Sequence, residues 1–155
     1  VGETAHASFV THRELVTVAV AEPNRATRVF VDPSGPLPFH ATASGMTMLA
    51  FMSPAERDDL KLPQELEEFT QGTPKRLEEL EAQLVEIRKA GICSVRGTFE
   101  DDVVGTAVPF FGWSGKVIGV IAVAAVASRF DDAVFARINT TLRNAGNELS
   151  RQIGG

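Results

Sequence analysis

The stretch LPFHATASGMTMLAF, residues 37–51, decides how the chain is read. An extended segment ends at Leu37-Pro38. A run of small residues, Ala41-Thr42-Ala43-Ser44-Gly45, follows His40, and an apolar helix is expected from about Ser44 to Met52. The first turn of a helix leaves backbone N–H groups without partners, and their partial positive charge suits an anion. Small side chains let an anion reach that backbone. They equally let the helix sit close on a sheet, and these residues alone support both readings.

Working outward, ASFVT and ELVTVAVA flank His12-Arg13, so residues 7–21 read as a hairpin with Val16, Val18 and Val20 on one face. RVFVD at 28–32 reads as a third strand, closed by Pro33-Ser34-Gly35-Pro36. After the first helix, Ser53-Pro54-Ala55-Glu56 has the spacing of a capping box and predicts a short helix to about Leu60. Residues 61–72 read as a loop. Thr73-Pro74 is the expected cap of a longer helix to Ala90, with Leu77, Leu80, Leu84 and Ile87 as its apolar stripe and Gly91 as its stop. Strands are expected over 92–96, 103–111 and 116–126, with Pro109 at a bulge or an edge and Trp113-Ser114-Gly115 as a turn. A last helix from Asp131 or Asp132 carries Val134, Ile138, Leu142, Ala145, Leu149 and Ile153 on one side. Hairpin-style connections then imply an α+β fold, an antiparallel sheet of about six strands with helices packed on it.

The 155 residues make one domain, 1–155, and 44% hydrophobic content fills a core. A net charge of −5 argues against this chain gripping nucleic acid itself. A single cysteine, Cys93, excludes an internal disulfide framework and fits a reducing cytoplasm. The most apolar run, VIGVIAVAAVA at 117–127, is far short of the about twenty residues a membrane helix needs, so no membrane partner is expected. The chain begins at Val1 rather than methionine and is expected to be a piece of something longer.

His6, His12, His40 and Cys93 show no metal-ligand spacing, so neither metal nor cofactor is expected. Ser44 lacks the glycines of a nucleophile elbow, with Thr42 and Met46 in their places. No phosphate loop or dinucleotide fingerprint is present. The chain is therefore expected not to be an enzyme. A small-acid hydrolase using Ser44 and His40 stays as the weakest reading, and His40 is expected simply to hydrogen-bond its loop.

Four stretches, taken in order, resemble one family. VGETAH opens the chain. RVFVDPSGPLPFHATASGMTMLAF carries an LP-x-HATA-x-G turn. Val85-Glu86-Ile87-Arg88-Lys89-Ala90-Gly91 closes the long helix, and VIGVIAVAAVASRF ends in a Ser-Arg pair. The chain resembles, over essentially its whole length, the C-terminal effector-binding domain of IclR-type bacterial transcriptional regulators. The resemblance implies a GAF-like fold and a cytoplasmic regulator with a separate N-terminal winged helix-turn-helix domain, through which alone it meets DNA. It also implies a homo-oligomer, dimer or tetramer, and a small-molecule effector pocket on one face of the sheet.

Carried over position by position, the resemblance puts backbone N–H groups of Ala43 and Ser44 on an anionic effector, with Gly45 beside them, and an apolar wall at Val29, Leu37 and Val103. Met48, one helical turn beyond Ser44, is added from geometry. Family members that bind small oxo-acids carry an aspartate, a cysteine and two serines where this chain has Val95, Gly105, Ala122 and Ala124. Strand period gives 122 and 124 a common face, and likewise 103 and 105. The pocket is therefore expected to be apolar, with room gained. Glyoxylate or pyruvate should bind poorly, because each unmade buried hydrogen bond costs about 1–3 kcal/mol. The expected effector is larger and mainly hydrophobic, an aromatic or aliphatic acid with its carboxylate on residues 43–45, or a neutral aromatic. The alternative is a dimerisation module with a vestigial pocket.

Overall fold

In the computed structural model, which describes residues 2–154, two eight-residue strands open the chain: β1 (Thr4–Thr11) and β2 (Glu14–Ala21). Val1 of the opening stretch lies outside the described residues. His12 and Arg13 both take positive φ, 50° and 65°. That is the two-residue turn whose twist matches a hairpin. The expected order then follows: α1 (Ala43–Phe51), α2 (Pro54–Leu60), α3 (Leu77–Ala90), β3 (Cys93–Arg96), β4 (Val103–Phe111), β5 (Val117–Val126) and α4 (Asp132–Gly154).

The strands form one antiparallel sheet in the order β2-β1-β5-β4-β3. The fold is α+β, with five strands rather than about six. The segment expected as a third strand, 28–32, joins no ladder. Its Val29 carbonyl accepts from the Thr4 hydroxyl at 2.6 Å, and only Leu37, further on, bridges to Leu15. The alternation is real, since Val31 is buried and Phe30 is 70% exposed. Alternation reports one buried face, however, and does not supply a neighbouring strand.

Two apolar layers sandwich the sheet. On one face Leu15, Ala107, Val120 and Ala122 pack with Met46 and Leu49 of α1 and Leu80, Leu84 and Ile87 of α3. On the other, Val108 and Val123 pack with Ile138 and Leu142 of α4. Of the expected α4 stripe, Ile153 lies exposed and the buried glycine Gly146 joins instead. Val16, Val18 and Val20 do not form the core edge of β2; Leu15 and Thr17 are its buried residues, and Val18 is exposed. Trp113 sits in the β4–β5 turn, 85% exposed, so it anchors no core. Pro109 pairs only with β5, because β3 reaches no further along β4 than Ala107, so the proline occupies a local edge.

Local signals explain most helix ends. Ser53 and Glu56 make both bonds of the capping box at α2. Gly91, at φ 75°, closes α3. Thr73 does not cap α3. Its hydroxyl accepts from the N–H groups of Phe69 and Thr70 and donates to the Thr98 carbonyl. Meanwhile Leu66 and Leu77 pair across to Lys75 and Gln64, and this short ladder delays α3 to Leu77. A buried Glu3 receives a two-toothed ion pair from Arg129 (2.9 and 3.1 Å), tying the start of β1 to the segment after β5.

Helix α1 is buried along residues 43–50, between the sheet and α3. Its mouth is correspondingly tight. A Cβ on Gly45 would stand 2.5 Å from backbone atoms of Pro38 and Phe39. We expect Gly45→Ala to destabilise the fold by about 1–3 kcal/mol through overpacking. Thermal unfolding should show this as a Tm roughly 2–4 °C lower per kcal/mol. Gly35→Ala, whose Cβ would meet nothing within 4 Å, is the control and should leave Tm nearly unchanged.

Candidate functional site

A cavity of about 430 Å³ opens on the α1–α3 side of the sheet. That falls within the roughly 300–1,000 Å³ common for small-molecule sites. Its floor is the inward face of the strands: His6 of β1, Val95 of β3, Val103 and Gly105 of β4, and Ala122 and Ala124 of β5. Register explains the grouping, since His6 pairs with Ala122, Val95 with Gly105, and Gly105 with Ala124. One wall is the extended segment from Val29 to Leu37, another the turn from Thr98 to Glu100, and the start of α1 closes the end.

Of the residues singled out in the sequence, Val29, Leu37, Ala43, Ser44, Val95, Val103, Gly105, Ala122 and Ala124 line this cavity. Gly45 and Met48 do not. Gly45 turns toward the Pro38–Phe39 backbone, and its N–H already donates to the Thr42 hydroxyl at 2.9 Å. Met48 is a core residue. The cavity meets the end of α1 rather than its flank, so a residue one turn along faces elsewhere. The room expected at Gly105 is also partly filled, because a Cβ there would come 3.2 Å from Ala43 Cβ.

Thr42 is the N-cap of α1. Its Oγ1 accepts from Gly45 N–H and donates to the Pro38 carbonyl at 2.8 Å, while its own carbonyl receives Met46 N–H. The first-turn groups left over are the N–H groups of Ala43 and Ser44, and both residues line the cavity. No Lys or Arg lines the cavity among the described residues. Two carboxylates do, Asp32 and Glu100. Bonds from the Ser34 hydroxyl and N–H hold the Asp32 carboxyl below its ordinary pKa, so it stays ionised.

His6 was missed in the sequence, although period two along β1 puts it on the same inward face as Thr4 and Ser8, both buried. Its Nε2 stands 3.1 Å from Ser44 Oγ. Burial pushes the imidazole pKa down from 6.5 to about 4, so the ring is neutral at physiological pH. His40 does not meet Ser44. Its Nε2 bonds the Glu67 carbonyl at 2.7 Å, and its ring lies tilted against Phe69. A Ser44–His6 hydrolytic pair is poorly equipped, because a general base works best with a pKa near the operating pH. Among the described residues no group of three His, Cys, Asp or Glu could hold a metal. Cys93 is buried, and burial pushes its thiol up to about 12.

The depressed His6 pKa makes a pH prediction with a definite sign. The folded state favours the neutral ring, whereas the unfolded ring takes up a proton below about pH 6.5. Stability from this group is intact above pH 6.5 and falls as pH drops toward 4, by roughly 2–3 kcal/mol in all. Urea unfolding at pH 7 and pH 4.5 should show a larger acid loss in the unsubstituted chain than in His6→Gln.

Comparison with known proteins agrees with this architecture. The family model described as "Bacterial transcriptional regulator IclR C-terminal" matches residues 1–151. The HTH-type transcriptional regulator XynR of Escherichia coli K12 is 31% identical over 153 residues, 99% of this chain and 61% of that protein. A solved putative IclR transcriptional regulator of Silicibacter sp. TM1040 is 35% identical with a TM-score of 0.91, covering 99% of this chain and 61% of that one. An IclR homologue of Microbacterium hydrocarbonoxydans, solved in complex with 4-hydroxybenzoate, shares the fold at TM-score 0.79 and 23% identity, over 95% of this chain and 60% of that one. The chain spans 53–61% of the length of the curated relatives it matches. It belongs to the family of C-terminal domains of IclR-type bacterial transcriptional regulators.

Proposed function

We propose that this domain senses a small, mainly hydrophobic monocarboxylic acid and passes the signal to a DNA-binding domain elsewhere in a cytoplasmic regulator. The observation that carries the reading is the cavity itself. Its apolar floor of Val95, Val103, Gly105, Ala122 and Ala124 ends at two N–H groups of α1 that have no helical partner. Apolar walls with a few placed polar groups are what a selective small-molecule site requires. A carboxylate sits on the Ala43 and Ser44 N–H groups, where the helix dipole favours negative charge. Gly45 contributes by its lack of a side chain rather than by its N–H.

Charge on the cavity walls narrows the class. With Asp32 and Glu100 on the wall and no Lys or Arg lining it among the described residues, a second anionic group on the ligand is repelled. The regulator binds DNA through a winged helix-turn-helix domain outside this chain and works as a homodimer or homotetramer. Ligand at the mouth of α1 bears on a helix that touches β3, β4, β5 and α3, so a small shift of α1 has a route to the rest of the domain. Among the described residues no helix is long and apolar enough to cross a membrane.

The test is a thermal-shift panel on this chain with benzoate, 4-hydroxybenzoate, octanoate, terephthalate, pyruvate, glyoxylate and toluene. The solved 4-hydroxybenzoate complex of a protein with the same fold makes hydroxybenzoate a natural first probe. A ligand at about a hundred times its Kd adds about 2.7 kcal/mol, roughly 5–10 °C for a domain of this size. We expect a shift from an aromatic or aliphatic monoacid, and little from terephthalate, pyruvate or glyoxylate. A shift from toluene alone would replace the acid by a neutral effector. Silence across the whole panel would favour a dimerisation module whose cavity no longer binds.

A further inference from the structure

The His6–Ser44 pair contains a hydrogen-bond asymmetry. His6 Nε2 reaches Ser44 Oγ at 3.1 Å, while Nδ1 is buried without a partner among the described residues. A neutral imidazole has one N–H and one bare nitrogen. If Nδ1 held the proton, a buried donor would go unpaired. With the proton on Nε2, the unpaired atom is an acceptor, which proteins tolerate more readily than an orphaned N–H. The Nε2–H then donates to Ser44 Oγ, and the serine keeps its own proton to give. Ser44 Oγ makes no other hydrogen bond among the described residues.

We propose that His6 is a positioning residue that turns Ser44 into a donor, so that its O–H joins the N–H groups of Ala43 and Ser44 in a three-donor seat for one carboxylate. This rests on the effector reading above and names what selects the acid. The direction of the bond matters. A nucleophilic serine donates to its histidine, whereas here the histidine donates to the serine. The arrangement therefore suits holding an oxyanion rather than attacking a carbonyl. It also works without a charged side chain, which the cavity lacks apart from the Asp32 and Glu100 carboxylates.

The experiment has two arms. In the first, the full chain with ¹⁵N-labelled histidine is examined by long-range ¹H–¹⁵N correlation between pH 6 and 8, without ligand. His6 should show the neutral Nε2–H tautomer; the Nδ1–H tautomer would overturn the proposal. In the second, benzoate is titrated calorimetrically into the unsubstituted chain, Ser44→Ala, His6→Leu, His6→Gln and the double variant His6→Leu/Ser44→Ala. Loss of one bond to a charged group corresponds to roughly tenfold or more in Kd. We expect that loss in Ser44→Ala and in His6→Leu, no further loss in the double variant, and recovery in His6→Gln, whose amide N–H can serve the same oxygen. If His6→Leu weakens binding as much without Ser44 as with it, His6 does not act through the serine and the proposal fails. Thermal unfolding of each variant shows whether it folds, and if His6→Leu does not, Ser44→Ala against His6→Gln decides. Failure of benzoate to bind the unsubstituted chain would overturn the carboxylate seat together with the effector reading, while the tautomer still decides how Ser44 is oriented.

Discussion

The structure depends on burying α1 all round. Residues 43–50 of that helix are out of solvent, with strands on one side and α3 on the other. A helix so placed cannot begin at the surface, and its unpaired N–H groups end up inside the domain. Buried donors without partners are costly, about 1–3 kcal/mol each. Thr42 removes one by taking Gly45 N–H, and helical geometry removes the next through Met46. Two remain, and they open on a cavity. The site is thus a consequence of the packing: the small residues that let Pro38 and Phe39 press against Gly45 also bare the backbone at Ala43 and Ser44. Packing falls to Gly45, and on the proposed reading ligand access falls to Ala43 and Ser44 of the same run.

Those features that are encoded locally were legible in the sequence. The capping box at Ser53 and Glu56, the Gly91 stop and the His12-Arg13 turn each depend on a few adjacent residues, and each forms as read. The departures are tertiary. Residues 28–32 alternate like a strand, but β1 already has β2 and β5 as its two neighbours, so no edge of it is free. The segment becomes a cavity wall instead. Thr73 has the residue type of a cap, but its hydroxyl is claimed by the N–H groups of Phe69 and Thr70 just before it and by the Thr98 carbonyl, a distant contact that no local reading detects.

The site shows the same division. Strand period grouped Val103 with Gly105 and Ala122 with Ala124, and resemblance aligned them with a pocket; the sheet register brings them to one floor. Helical spacing misled at Met48, because the direction from which a cavity meets a helix is set by the sheet, not by the helix. His6 carried a signal that went unused. It sits two residues from Thr4 and two from Ser8 on a strand whose inward face is unusually polar. A polar inward face on an interior strand needs partners, and the partner of His6 is the serine at the mouth of α1.

That pairing also bears on how a cavity whose lining has no Lys or Arg among the described residues can hold an anion. Burial keeps His6 neutral at physiological pH, so it offers direction rather than charge. The first turn of α1 offers a partial charge of about half a unit. Together they suit one carboxylate and no more, since Asp32 and Glu100 set negative charge on the same walls. The larger share of affinity must then come from apolar area, at about 25 cal/mol per Å² removed from water. Val95, Ala122 and Ala124 matter here because they offer no hydrogen bonds to a small polar acid. A ligand that fills the apolar floor gains area at each, whereas a two- or three-carbon oxo-acid gains little and leaves its oxygens unpaired. On the proposed reading, the size and hydrophobicity of the effector are read by the sheet, and its single charge by the end of one helix.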